Sequence, residues 1–236
     1  MSSSTDLLDQ VPVWKQVLSH FNIESSTDSP ADRTRSKKRR LNLDHANVSF
    51  LEKVQSLYAL RGGWEIWLQC ELSLWMSANL GPDYAVEREV KVWKPTALVK
   101  SRDPLKSACD IVLKFPAGSK YSGLLVELKC EKKRDNDGGD PLPAMQSDGE
   151  LAGKKFDRYF ADDVNKFLEL RNELNDMYKS YIPLVIGIVV DQNGIDAMRT
   201  SKDSFPGIRE LPPKNSRDLF SLWYYVPYSP DPSLPF

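Results

Sequence analysis

Three side chains on two short apolar stretches have the types and spacing for chemistry: Asp110 in SACDIVLKF, and Glu127 and Lys129 in LLVELKCEKK. Both stretches read as strands, in which successive side chains point to opposite faces. In the second, Leu124, Val126, Leu128 and Cys130 take one face, while Leu125, Glu127 and Lys129 take the other. In the first, Cys109, Ile111, Leu113 and Phe115 make the apolar face, and Asp110 shares the opposite side with Val112 and Lys114. The intervening PAGSKYSG turn, with Gly118 and Gly123, suits a hairpin. Antiparallel pairing is then expected to bring Asp110 beside Glu127 and Lys129. Two carboxylates so placed hold a hard divalent cation through oxygen. The lysine beside them can orient a water or stabilise developing negative charge.

Other elements must position this hairpin. A helical stretch runs from about residue 50 to residue 80, broken by Gly62-Gly63. On a helical wheel Trp64, Trp67, Leu68, Leu72 and Trp75 form one apolar arc, with Glu71 in its middle and Glu65 and Gln69 at its margin. A carboxylate inside an apolar arc must pair or bind a cation. For Glu71 the pairing alternative is a salt bridge to an arginine such as Arg88. Tyr84 to Trp93 alternates as a strand, with Val86, Val90 and Val92 on one face. Lys154 to Tyr178 is a second helix whose buried side carries Phe156, Phe160, Val164, Phe167 and Leu174. Ile182 to Asp191 is apolar almost throughout, as befits a strand covered on both faces. Residues 192–216 are turn-rich and receive no element, and Leu219 to Val226 is a last aromatic strand.

An acid in one strand, Glu-x-Lys in the next and a further glutamate on the preceding helix together resemble the PD-(D/E)xK, or restriction-endonuclease-like, nuclease superfamily. Here the motif is Cys109-Asp110 followed by Glu127-Leu128-Lys129, so cysteine stands where the superfamily's nominal proline precedes the aspartate. The order helix, three strands, helix, strand from residue 50 onward is similar to the superfamily's αβββαβ core. The resemblance implies an α/β fold with a central mixed sheet of four to five strands flanked by helices. It implies a Mg2+- or Mn2+-dependent nuclease hydrolysing phosphodiester bonds in DNA or RNA. Asp110, Glu127 and a helix glutamate would hold the metal, with Glu71 the first choice and Glu65 the second. Lys129 would position the attacking water. The stretch Asp163-Val164-Asn165-Lys166 resembles a turn on the superfamily's second core helix, which sometimes lends a lysine to the site. Lys166 and Lys155 are therefore candidates, although a solvated lysine is the simpler expectation for each.

The 236 residues suffice for one sizeable domain with tails. The expected division is an amphipathic helix within 1–21, a polar basic linker at 22–47, the nuclease-like domain at 48–229 and a tail at 230–236. Leu7, Leu8, Val11, Trp14, Val17, Leu18 and Phe21 give the first helix an apolar stripe. Docking on its own domain is the expectation, and binding a protein partner the alternative. No apolar run approaches the length of a membrane span, and no signal peptide opens the sequence, so an intracellular protein without membrane contact is expected. Cys70, Cys109 and Cys130 lack metal-ligand spacing and read as reduced core thiols. The formal net charge of −1 weighs mildly against a generic polyanion binder. No phosphate-binding GxxxxGK[ST] loop or GxSxG elbow is present, and His20 and His45 lie outside the expected core. A second function class therefore stands beside the enzyme: a catalytically inactive module on the same fold, binding nuclear proteins or nucleic acid.

Ser36 to Arg40 (SKKRR) is a compact basic run of the kind read by nuclear import receptors. Replacing Lys37, Lys38, Arg39 and Arg40 with alanine should abolish nuclear accumulation of a fluorescent fusion and leave activity in vitro unchanged. An unchanged nuclear signal would reduce the run to a solvated charge cluster.

Overall fold

The computed structural model describes residues 64–94, 108–131, 152–190, most of 192–211 and 221–230, together with Val11, Val13, Trp14, Gln16, Val17 and Val54. In order the elements are α1 (Trp64–Asn79), β1 (Ala85–Lys91), β2 (Ala108–Lys114), β3 (Gly123–Cys130), α2 (Ala152–Glu169), β4 (Tyr181–Val189), α3 (Gln192–Ser201), β5 (Arg209–Leu211) and β6 (Ser221–Tyr225). The strands form one six-stranded sheet in the order β1-β2-β3-β4-β6-β5. Only β3 and β4 run parallel; the other neighbours are antiparallel. A parallel neighbour requires a crossover, and the chain between β3 and β4, which includes α2, supplies it.

The α/β class is as expected, but the sheet has six strands rather than four or five. The addition comes from residues 192–216, whose many turn residues mask a ten-residue helix and the three-residue strand β5. So short a strand carries too little alternation to be read, and it forms because β6 offers it a partner. No helix among the described residues is long and apolar enough to cross a membrane.

Apolar layers cover both faces of the sheet. On one, Trp64, Leu68, Leu72 and Met76 of α1 pack over Ile111, Leu113, Leu124, Val126 and Leu184. Val13, Trp14 and Val17 join this layer, and Trp14 meets Tyr224 edge to face with ring centroids 5.3 Å apart. The apolar residues described in the N-terminal helix are thus engaged by the chain's own core. On the other face Phe156, Phe160, Val164 and Phe167 of α2 and Ile195 and Met198 of α3 cover Val112, Leu125, Val185 and Trp223. β4 lies between the two layers with all nine residues buried, as its unbroken apolar run anticipates. The basic run at Lys37–Arg40 and the charged stretch from Lys132 to Gly149 lie outside the described residues.

The strict alternation read for β1 and β2 fails at one level. Val86 packs on the α1 side, but Val90 and Val92 pack on the α2 side. Likewise Ile111 and Leu113 face α1, whereas Cys109 joins the α2 layer. The two exchanges occur at the same place. β1 and β2 pair from Ala85↔Lys114 to Arg88↔Ile111 and again at Val90↔Cys109, but Glu89 and Asp110 between them do not pair. Glu89 has φ 53°, the left-handed region that a non-glycine residue seldom enters, and this turns the strand over. The β2–β3 ladder likewise ends at Ile111↔Val126. Asp110 therefore sits where β2 leaves β3 and where its pairing with β1 is interrupted for one residue.

The hairpin before that break is closely packed. A Cβ on Gly123 would lie 2.0 Å from the Leu113 carbonyl oxygen and 2.5 Å from the Tyr181 ring, whereas Gly118, at φ 86°, faces open space. Gly123→Ala should destabilise the fold by about 3 kcal/mol or more, and Gly118→Ala by about 1 kcal/mol, through its backbone alone. Urea unfolding of the two variants compares them, and equal losses would contradict the register described.

Candidate active site

Asp110 stands at the break, and its side chain does what the missing strand partner would have done. Its Oδ2 accepts the Leu128 backbone N–H at 2.6 Å, taking the place of a carbonyl beyond the last ladder pair. Asp110 is thereby tied to the residue between Glu127 and Lys129. The grouping expected from the hairpin is present, although a side-chain bond rather than continued pairing makes it.

Lys129 lies at the centre of the group. Its Nζ is 3.1 Å from Asp163 Oδ2 on α2 and 3.8 Å from Glu65 Oε1 on α1. Glu65 also accepts the Cys130 N–H through Oε2 at 3.2 Å, which anchors the first turn of α1 to the end of β3. Glu127 is only 4 % exposed and pairs with Lys166, whose Nζ lies 2.6 Å from Glu127 Oε1. The same ammonium donates to the Ala108 carbonyl at 3.2 Å and stands 4.5 Å from the centroid of the Trp93 ring. Trp93 is held there by a bridge to Leu174 just beyond α2.

Glu65, the second choice among the helix acids, contacts this group. The observed buried face of α1 comprises Trp64, Leu68, Gln69, Leu72, Ser73 and Met76. At about 100° per residue its middle lies about 90° from Trp64, and there Glu65 falls. Glu71 lies at the edge of that face, about 120° around and about 9 Å along the axis from Glu65. The apolar arc was misplaced because Trp67 and Trp75 weigh heavily on a wheel. In the fold these two large rings are only half-buried, while the small or neutral polar Gln69 and Ser73 turn inward. Arg88, the partner considered for Glu71, donates to Gln69 Oε1 at 3.3 Å.

Two further departures concern α2. Lys166, expected to be solvated, is largely buried on Glu127. Asp163 entered only as the first residue of the Asp163–Lys166 turn and was given no role in the site. The available signal was its spacing: Asp163 and Lys166 lie three apart beside Val164 and Phe167, at the border of the apolar side, where one face of the helix presents both. The side chain of Lys155 is not described.

Glu131 was also missed: it opens the stretch 131–149, whose charge, glycines, prolines and lack of periodicity read as a loop. It is 1 % exposed, and its Oε2 accepts the Val190 N–H at 2.8 Å. Its backbone N–H bonds the Ile188 carbonyl, and its carbonyl accepts Trp64 Nε1 at 2.6 Å. A Cβ on Gly194 would come within 2.3 Å of Glu131 Oε1, so α3 approaches this carboxylate as only glycine permits. Glu131 thus fastens β3 to β4 and α1 immediately after Lys129.

The electrostatics follow from this crowding. Burial pushes the Asp110 carboxyl up to about 7; Glu65 and Asp163 add to the rise, against the Leu128 hydrogen bond and Lys129. Burial also lifts Glu127 well above the usual carboxylate range, despite Lys166. For Lys129, burial favours the neutral amine, but Asp163 and Glu65 outweigh it and hold the group charged. The Cys109 thiol is raised by burial and by its acidic neighbours Glu127 and Asp110, which makes it a poor nucleophile. When all are ionised, the carboxylates of Glu65, Asp110, Glu127 and Asp163 exceed the ammoniums of Lys129 and Lys166 by two negative charges.

The donor set and this surplus suit a hard divalent cation such as Mg2+ or Mn2+. Among the described residues, no three histidine, cysteine or acidic side chains are placed to coordinate a metal as they stand. The carboxylates are turned instead toward the two ammoniums and toward backbone N–H groups. Comparison with protein-family models, curated proteins and solved structures finds no match to this chain.

The raised Asp110 carboxyl has a consequence for stability. Between the ordinary aspartate range near pH 4 and about pH 7, the folded chain holds a proton that the unfolded chain has lost, so stability falls as pH rises. Asp110→Asn keeps an acceptor for Leu128 N–H and removes the charge. In the presence of a chelator, its stability relative to the wild type should improve by roughly 2–3 kcal/mol between pH 5 and pH 8. Denaturant unfolding at the two pH values measures this; parallel pH dependences would contradict the crowding described.

Proposed function

We propose that this chain is a metal-dependent nuclease on a restriction-endonuclease-like core, hydrolysing phosphodiester bonds in DNA or RNA. The observation that carries the reading is the convergence of Asp110, Glu65 and Asp163 on Lys129 at the point where β2 leaves β3, with the buried Glu127–Lys166 pair next to it. The helix, three strands, helix, strand order from α1 to β4 supports it.

In this reading Asp110, Glu127 and Glu65 supply the oxygen ligands. A bound Mg2+ or Mn2+ would supply positive charge for the phosphodiester and a more acidic water. Lys129, kept charged by Asp163 and Glu65, donates hydrogen bonds and stabilises charge gathering on the phosphoryl oxygens. An ammonium so held is a poor proton acceptor, so its role is electrostatic and orienting rather than that of a general base. Trp64 and Glu131 fix α1 to the end of β3, which sets Glu65 relative to Lys129.

One observation favours a second reading, an inactive module on the same fold. Both ammoniums are already engaged by the carboxylates, so the cluster is partly neutralised without any cation. The decisive assay incubates purified protein with single- and double-stranded DNA and RNA in Mg2+, Mn2+ or EDTA.

Asp110→Asn and Lys129→Ala should both abolish cleavage, by about 10²–10³-fold or more, but for different reasons. Asp110→Asn removes a charged ligand, so Mn2+ affinity falls and excess Mn2+ restores part of the rate. Lys129→Ala removes a competing positive charge, so Mn2+ still binds while the chemical step fails. If the wild type cleaves no nucleic acid with any metal, and Asp110→Asn leaves Mn2+ affinity unchanged, the enzyme reading is wrong and the module takes its place.

A further inference from the structure

The Glu127–Lys166 pair is built differently from the other contacts of the cluster. Among the described residues Glu127 has a single ammonium partner, whereas that ammonium has two further supports, the Ala108 carbonyl at 3.2 Å and the Trp93 ring at 4.5 Å. Both supports would remain if the carboxylate turned away. A carbonyl and an aromatic face together stabilise a desolvated ammonium. The carboxylate, in contrast, is almost fully buried and must be neutralised by something. A buried acid with one replaceable counter-ion, and a base with a resting place of its own, form an exchangeable pair.

We propose that Lys166 is a displaceable counter-ion, which neutralises Glu127 until a divalent cation arrives and then remains on Trp93 and Ala108 while Glu127 turns to the cation. The inference rests on the divalent cation proposed above for this cluster. It concerns a side chain to which the reaction itself assigns no part. The exchange conserves charge: Glu127 loses one cationic partner and gains another, and Lys166 exchanges a carboxylate for neutral electron-rich groups. Lys166 and the cation thus compete for one carboxylate. That competition lowers metal affinity and keeps the cation-free fold intact.

Mn2+ titration calorimetry at a single pH and ionic strength tests this, together with thermal unfolding with and without Mn2+. Lys166→Met removes the competitor, so Mn2+ should bind about tenfold tighter, and its stabilising shift in Tm should exceed that of the wild type. Lys166→Arg supplies a guanidinium that pairs with carboxylate through two parallel bonds, so Mn2+ should bind at least about threefold more weakly. Opposite signs in the two variants are the signature of competition. Should Lys166→Met fold only when Mn2+ is present, the exchange is supported in its strongest form; should it fold in neither condition, the sign for Lys166→Arg decides. Wild-type binding of Mn2+ with unchanged affinity in Lys166→Arg, or weaker binding in Lys166→Met, overturns this inference alone. No Mn2+ binding by the wild type overturns both it and the proposed metal site.

Discussion

The site depends on one hydrogen bond across a broken ladder. β2 is buried on both faces and paired on both edges down to Ile111; one residue earlier the β3 partnership ends and the β1 partnership skips a residue before resuming at Cys109. Unpaired backbone donors inside a protein are costly. The Asp110 carboxylate removes that cost for Leu128 by accepting its N–H, and this holds an acid against the middle of the Glu-x-Lys motif. Glu89, turned over at φ 53° on the neighbouring strand, is the counterpart of the same break. Without the break, Asp110 would face an ordinary pair partner. With it, α1 and α2 bring Glu65 and Asp163 into the opening from opposite sides of the sheet.

Around this opening the two apolar layers act as a rigid frame. β3 and β4 are in register over all eight residues of β3, and both are almost wholly buried. That frame explains how the fold tolerates carboxylates in surplus over ammoniums at one sheet end. The strain of like charges is confined to side chains, and the backbone that carries them is fixed by ordinary packing. A divalent cation would relieve that repulsion, whereas the cation-free state relies on raised carboxyls and on Lys129 and Lys166.

The strands, their faces near the turn and the two main helices were legible because burial on one side leaves a period in the sequence. Asp110, Glu127 and Lys129 were legible for the same reason, as charges interrupting apolar strands. What escaped was decided by contacts between elements. The face of α1 could not be read from its tryptophans, because a large ring can lie across the border of a core while Gln69 and Ser73 turn inward beneath it. Asp163 and Lys166 looked like ordinary charges on an amphipathic helix until β3 supplied their partners. Glu131 looked like the first residue of a charged loop, and only β4, α1 and Gly194 closing around it make it a core residue. The exchange of faces at Val90 goes with a single unusual φ, for which glutamate at position 89 gives no hint.

Paramagnetic broadening tests most directly whether the cluster is a cation site. In a two-dimensional amide NMR spectrum of the intact protein, substoichiometric Mn2+ broadens the signals of residues within reach of the bound ion. The Leu128 and Cys130 N–H groups, which bond Asp110 and Glu65, should broaden first, ahead of amides at the far end of the sheet such as Lys114 and Ser122. Broadening that spares Leu128 and Cys130, or is spread evenly over the surface carboxylates, would contradict the central claim.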